Sequence, residues 1–282
     1  MTAPLDALDV VTAVRAACVE GDGHDPLDEA ADLALRHRGL EGAGLWTEPD
    51  GFALVRDGEL TLAVAPPARG RGLGGRLARA AEPAGATRAW SHGDAPAAAR
   101  IAADLGFART RELWVMRRPT SRALPPLEER AGVEVRGYRD DDAAAVLEVN
   151  ATAFAHHPEQ GGLDAAGLAE RMAEPWFDPA GLLLAVDTGT GALLGFHWTK
   201  QHDAALGEVY VVAIGPGAQG RGLGRLLTLA GLHHLAGLGV AEVLLYVESD
   251  NAPAVHVYAG LGFEHAATDT HVQYTRPDAP GS

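Results

Sequence analysis

From residue 133 onward, short apolar runs alternate with amphipathic stretches. "VEVRGY" reads as a strand, and "DDDAAAVLEVNATAF" as a helix whose acidic first turn suits the helix dipole. A second helix is predicted near 164–173. "GLLLAV", "ALLGFHWT" and "GEVYVVAI" read as strands, the last two as a meander. Leu223, Leu226, Leu227 and Ala230 recur at helical spacing and predict a helix over about 221–238. "EVLLYVE" is a strand, and "NAPAVHVYAGLG" is a helix with Asn251 as N-cap and Gly262 past its end. "VQYTR" closes the pattern as a strand. Meander, helix, strand, helix, strand is the order of a mixed α/β sandwich.

The pattern occurs twice. "LAVAPPARGRGLGGRLARA" (62–80) parallels "VAIGPGAQGRGLGRLLTLA" (212–230) at an offset of 150. "LGFARTRE" (105–112) parallels "LGFEHAAT" (261–268) at an offset of 156. "TRAWSHGD" (87–94) and "AEVLLYVESD" (241–250) lie between these blocks. The stretch "RRPTSRALPPLEERAG" (117–132) is rich in proline and charge, has no apolar period and reads as a linker. A period this long means duplicated domains rather than a solenoid. The predicted domains are 1–122 and 132–282.

Charge narrows the partners. The net charge is −15, from 23 basic and 38 acidic residues, a field that repels phosphate backbones and argues against nucleic acid. Of the basic residues only Lys200 is a lysine, which raises the question of what an ammonium does there that a guanidinium does not. The lone Cys18 excludes an internal disulfide and reads as a small residue on a buried helix face. No apolar run has the length of a membrane span, and "MTAPLDALDV" lacks the features of a signal peptide, so a cytoplasmic protein is expected. His156–His157 and His233–His234 have no acidic or cysteine partners at ligand spacing, so no metal is expected. No G-x-S-x-G occurs, so a serine nucleophile elbow is absent.

The repeated glycine loop has three phosphate-binding readings. A Walker loop needs a lysine directly after its glycines, and none is there. A dinucleotide fingerprint fits the first copy, through Gly70, Gly72 and Gly75 with Asp94 downstream, but the second copy has Arg225 in place of the third glycine. The third pattern is (Arg/Gln)-x-x-Gly-x-Gly at a strand-to-helix junction, with Arg69, Gly72 and Gly74 in one copy and Gln219, Gly222 and Gly224 in the other. Amide groups at a helix N-terminus attract anions, and glycines let the backbone come close. This third pattern resembles the coenzyme A pyrophosphate loop of the GCN5-related N-acetyltransferase superfamily. The resemblance implies an α/β fold: two tandem domains of that superfamily, each a mixed, largely antiparallel sheet flanked by helices.

Acetyl transfer from a thioester to an amine needs a neutral amine, a base, a donor to the oxyanion and a proton for the leaving thiolate. Glu208, near the start of "GEVYVVAI", stands where a base is wanted. By the resemblance, Tyr258 is the acid that protonates the thiolate, and the backbone of Val212, Ala213 and Ile214 binds the pantetheine arm. With the offsets above, Glu208 maps to Gly58 and Tyr258 to Ala102, so chemistry is predicted in the second half alone. Glu59 is one residue from the mapped position, and on a strand that slip reverses the face.

Longer strings narrow the resemblance. "HPEQGG" (157–162), "WFDP" (176–179), "LLGFHWTK" (193–200), "GEVYV" (207–211), "LLYVESDN" (244–251) and "ELWVMRRP" (112–119) together are similar to the mycothiol synthase family, tandem acetyltransferases of actinobacteria. That likeness implies acetyl-CoA as co-substrate and the amine of cysteinyl-glucosaminyl-inositol as acceptor, with no metal, no membrane and a monomer. It places acceptor contacts on Glu29 (or its neighbour Asp28), Glu159, Lys200, Glu208 and Tyr246. It places coenzyme contacts on Val212, Ala213, Ile214, Gln219, Gly220, Arg221, Gly222, Leu223, Gly224 and Arg225, and on Asn251, Ala252, Pro253, Ala254, Val255 and His256. A second coenzyme site in the first half is implied at Leu62, Ala63, Val64, Gly70, Arg71, Gly72, Leu73, Gly74 and Gly75. Two other readings stay open: the same fold acting on a different amine, such as an aminoglycoside or a peptide, and a non-enzymatic CoA-binding regulatory module.

Overall fold

The computed structural model describes residues 6–155 and 160–276. They form two compact units. One holds the residues up to Leu113 together with those from Ala267 onward, and the other is Trp114–Ala266.

The first unit opens with α1 (Ala7–Asp22) and α2 (Glu29–Arg38). Asp6 caps α1 by accepting from the Leu8 N–H, and Gly23 ends it in the left-handed conformation. Val10, Val11, Val14 and Cys18 form its buried stripe, which packs with Phe52, Leu54 and Ala63. A meander follows: β1 (Ala43–Glu48), β2 (Gly51–Arg56) and β3 (Glu59–Val64), then α3 (Leu73–Ala81), β4 (Arg88–Ser91), α4 (Pro96–Asp104) and the first part of β5 (Ala108–Pro119). β2 and β3 are joined by Asp57 and Gly58, both at positive φ, in a two-residue hairpin turn. Ala53, Val55 and Leu60 point to the other face, against Leu73 and Leu77 of α3.

The second unit repeats the plan. Its elements are β6 (Val133–Gly137), α5 (Ala143–Ala153), α6 (Ala165–Met172), β7 (Leu182–Asp187), β8 (Leu193–Gln201), β9 (Leu206–Ile214), α7 (Leu223–Gly237), β10 (Glu242–Glu248), α8 (Ala252–Gly260) and the start of β11 (Glu264–Thr275). β6 to β9 are antiparallel neighbours in turn, and β10 adds in parallel beside β9. One face carries Leu182, Leu184, Phe196, Trp198, Val211 and Ala213, packed with Val146, Val149 and Leu168 of α5 and α6. On the opposite face Val209, Val243 and Leu245 meet Leu229, Leu232 and Leu235 of α7, with Tyr258 of α8 partly packed there.

Two features differ from the sequence reading. β5 and β11 both run across the division between units, so the last strand of the second repeat gives its residues from Ala267 to the first unit. The stretch 117–132 is also not all linker, because residues 117–119 finish β5. Arg118 is 1% exposed there, and its guanidinium donates to the carbonyls of Leu261, Arg122 and Ala123. A charged residue at that position reads as surface in sequence, but its planar fork satisfies several carbonyls at once.

Candidate active site

β9 and β10 pair only from Leu206–Glu242 to Val209–Leu245. Beyond that rung β9 continues to Ile214 and β10 to Glu248. Val212, Ala213 and Ile214 pair with β8 on one side only, through His197, Phe196 and Gly195. Their outward backbone groups therefore border a cleft rather than a ladder.

The glycine loop closes one end of that cleft. Gly220 (φ +75°) and Gly222 (φ +74°) are left-handed, which side chains with a Cβ rarely adopt. Gly222 is the N-cap of α7, and the first helical bond runs from the Leu226 N–H to its carbonyl. The N–H groups of Leu223, Gly224 and Arg225 consequently have no acceptor inside the helix. The first unit matches, with Gly70 and Gly72 both at φ +77° and the first bond from the Arg76 N–H to Gly72. Gly75 is helical and takes no part in the turn, so the dinucleotide fingerprint of the first copy has no structural counterpart.

Charged and aromatic side chains gather on the α5 face. Trp198 pairs with Val211 but Thr199 pairs with Val209, so Tyr210 is an extra residue that bulges from β9. The bulge turns Glu208 to the same face as Val211. There it stands opposite Lys200 on β8 and Leu244 on β10. Tyr246 lies two residues beyond Leu244 on that same face and is exposed. The Lys200 ammonium sits 4.9 Å from the centre of the Trp176 ring and 5.3 Å from that of Tyr210, a two-sided cation–π seat. Arg171 donates to the Tyr210 hydroxyl at 2.9 Å. Lys200, Glu208 and Tyr246 thus share one face of the sheet. Trp176, Tyr210 and Arg171 are additions, and no spacing around Lys200 in the sequence marks them, because they meet it only through the fold.

Glu208 is not an isolated carboxylate. Its side chain is 7% exposed, and Oε2 accepts from His202 Nε2 at 2.6 Å. Sequence reasoning missed His202. The pair forms because β8 and β9 make a hairpin, which puts residues six apart in sequence on diagonal rungs.

Tyr258 lies on the opposite face, packed with the α7 core and edge-on to Phe263 at 6.0 Å. Loss of solvation pushes its hydroxyl up to about 12, so it holds its proton at neutral pH. Glu208 and Tyr258 therefore flank the cleft from its two faces. Asn251 caps α8 by accepting from the Ala254 N–H at 3.2 Å, which sets Ala252, Pro253, Ala254, Val255 and His256 in the first turns of that helix.

The first unit corrects one mapping. Its hairpin has no bulge, so the sixth rung back from Val64 is Glu59, just as the sixth back from Ile214 is Glu208. Glu59, not Gly58, is the counterpart of Glu208, and the bulge absorbs the one-residue slip that separates them in sequence. The neighbour on the parallel side is Arg88 where the second unit has Leu244, and Arg88 approaches Glu59 to 3.8 Å. The counterpart of Tyr258 remains Ala102, buried on α4. Leu62, Ala63 and Val64 line the matching side of this unit's β3–β4 opening, since that parallel pairing stops at Leu60–Ala89. Arg69 donates to the Val64 carbonyl and pairs with Asp22. Glu29 begins α2, while Asp28 spends its carboxylate on capping that helix through the Ala31 N–H. Glu159 and the His156–His157 pair lie outside the described residues.

His233 contacts the Pro125 carbonyl, and His234 contacts Asp178. Among the described residues no group of three or more His, Cys, Asp or Glu side chains is placed to hold a metal. No helix among them is long and apolar enough to cross a membrane.

Comparison with known proteins fits this geometry. Residues 149–263 match the model of the acetyltransferase (GNAT) family. A mycothiol acetyltransferase from a Nocardioides species is 60% identical over 96% of this chain and 98% of its own. The chain belongs to the mycothiol acetyltransferase family. Solved structures add the fold. A GCN5-related N-acetyltransferase from Sphaerobacter thermophilus superposes with TM-score 0.72 at 24% identity, over 99% of this chain and 95% of that one. A tandem GNAT protein from the clavulanic acid biosynthesis pathway gives 0.67 at 22%, over 99% and 98%. In this mycothiol acetyltransferase family member both repeats, not only the matched 149–263, carry the loop and the opened parallel pair.

Proposed function

We propose that the chain transfers the acetyl group of acetyl-CoA to the cysteinyl amine of cysteinyl-glucosaminyl-inositol, the closing step of mycothiol synthesis. The observation that carries the chemistry is the β9–β10 opening with Glu208 on one face and Tyr258 on the other. The fit to coenzyme A rests on the left-handed glycines and on amides without helical acceptors at the start of α7. Gln219 to Arg225 hold the pyrophosphate. Val212, Ala213 and Ile214 align the pantetheine arm, and a backbone N–H there donates to the thioester oxygen as negative charge develops. Glu208 accepts one proton from the acceptor amine, directly or through water. As the N–C bond forms and the C–S bond breaks, Tyr258 supplies a proton to sulfur. Lys200 and Tyr246 hold hydroxyl groups of the sugar and inositol, for which a compact ammonium and a phenol suit better than apolar walls.

The acetyl step belongs to the second unit. The first keeps a loop shaped for the coenzyme and a carboxylate at the base rung, but has Ala102 in place of the acid and Arg88 against Glu59. The test is product formation by the purified chain with acetyl-CoA and the cysteinyl acceptor. It is read by mass spectrometry because the acceptor itself carries a thiol, and run against aminoglycoside and peptide amines. Acetylation of a competing amine in preference to the cysteinyl one refutes the acceptor assignment. Absence of transfer to every amine leaves only the regulatory reading.

A further inference from the structure

We infer that His202 is the residue that positions the Glu208 carboxylate for proton abstraction. The inference rests on the proposed acetyl transfer and extends it to a side chain that no sequence motif marks.

A carboxylate that is 7% exposed needs a partner to stay oriented and charged. Among the described residues Glu208 has one, on a single oxygen: Oε2 accepts from His202 Nε2 at 2.6 Å. That bond fixes the plane of the carboxylate and leaves Oε1 as the oxygen available to the amine. His202 is itself held. Its N–H donates to the Leu206 carbonyl at 2.9 Å. Asp203, the next residue, accepts from the Ala205 and Leu206 N–H groups and so fixes the hairpin end that sets the ring's reach. The imidazole is one-third exposed, so it bridges the enclosed base to solvent. The charged groups about the pair are Lys200, opposite Glu208 on β8, and Asp203 at the turn.

The first unit supports the assignment by contrast. Glu59 sits on the same rung as Glu208, but its hairpin closes at once through Asp57 and Gly58 and has no residue at the His202 position. Arg88 approaches that carboxylate instead. A carboxylate at this rung therefore occurs in both repeats, and the imidazole partner only in the one that also carries Tyr258.

The experiment compares the whole chain with its His202→Ala and His202→Gln variants. The glutamine amide offers a donor near the place of Nε2. Steady-state rates are measured for both substrates, with thermal unfolding alongside. Expected for His202→Ala is a fall in kcat of about 10- to 100-fold, within the range of acid–base contributions, with KM for acetyl-CoA unchanged. His202→Gln is expected to recover most of that loss. Wild-type kcat in His202→Ala overturns the inference, as does an equal loss in both variants accompanied by a lowered unfolding temperature. The NMR resonance of the His202 Nε2 in wild type and Glu208→Gln reports the hydrogen bond without turnover, so it separates this inference from a failure of the proposed reaction. An unchanged resonance overturns the pairing.

Discussion

Val209 and Leu245 form the last rung between β9 and β10. One rung earlier Glu208 and Leu244 are still paired, so Glu208, the proposed base, sits where the ladder gives way to the cleft. A paired rung holds the carboxylate, while the strands beyond it part where the proposed function places the thioester. Removing the carboxylate should therefore stop chemistry without emptying the cleft. Glu208→Gln is expected to lower kcat by about 10²- to 10⁴-fold. Acetyl-CoA affinity by calorimetry should remain that of wild type, and full turnover would remove Glu208 from the mechanism.

Tyr258 gives the complementary result. Tyr258→Phe keeps the packing against Phe263 but loses the proton, and kcat is expected to drop about 10²-fold with little change in acetyl-CoA KM. Because its hydroxyl is pushed up to about 12, ionisation of Tyr258 should add no basic limb to the kcat profile between pH 8 and 10, roughly two or more pH units below that value. A basic limb there that vanishes in the Phe variant would contradict the shift.

The loop prediction is geometric. In Gly222→Ala a Cβ must accept φ +74° and meet the Arg130 guanidinium at 3.0 Å. A left-handed non-glycine residue costs about 1–2 kcal/mol, so a lower denaturation midpoint and a raised acetyl-CoA KM are expected. Gly217→Ala, with nothing within 4 Å, is the control and should match wild type. Gly72→Ala in the first unit should lose stability alike but leave turnover per folded molecule intact.

His197 makes stability depend on acidity. Its Nδ1 donates to the Leu227 carbonyl at 2.8 Å, its Nε2 is buried with no hydrogen-bond partner among the described residues, and burial pushes it down from 6.5 to about 4. As pH falls below 6.5 the unfolded imidazole takes up a proton that the folded one refuses until about 4. Stability is thus full above that window and is lost through it, by roughly 3 kcal/mol in all for a shift of this size. Urea midpoints from pH 8 to 4 should show the decline, and His197→Asn should flatten it.

Packing around that ring predicts a severe variant. An alanine Cβ at Gly231 would overlap the His197 ring, with no flexible atom to yield. Gly231→Ala is expected to destabilise by about 3 kcal/mol or more, the upper range for overpacking, or to yield no folded protein. Wild-type stability in denaturant would show that α7 can shift away from β8.

Much of this was legible in the chain. The 3.6-residue spacing of Leu223, Leu226 and Leu227 announces α7, and two glycine loops in matching contexts announce the repeat. What stayed hidden depends on register. A bulge leaves no mark in a single sequence, so Tyr210 looked like an ordinary strand residue and Glu208 was mapped to a turn glycine instead of Glu59. His202 was missed for the same reason, since its meeting with Glu208 is decided by the Asp203 turn and the rung count behind it. Arg118 was hidden because its partners are carbonyls, which every sequence supplies everywhere.

The tight turn at Asp57 and Gly58 bears on how twin domains can part ways. The tip of a hairpin is the one place where a sheet can lose or gain residues while every rung behind it keeps its partner. A short tip there leaves Leu62, Ala63 and Val64 in register and takes away only the ground on which an imidazole could stand. Twin hairpins can thus come to differ at their tips alone, with neither sheet having to be rebuilt.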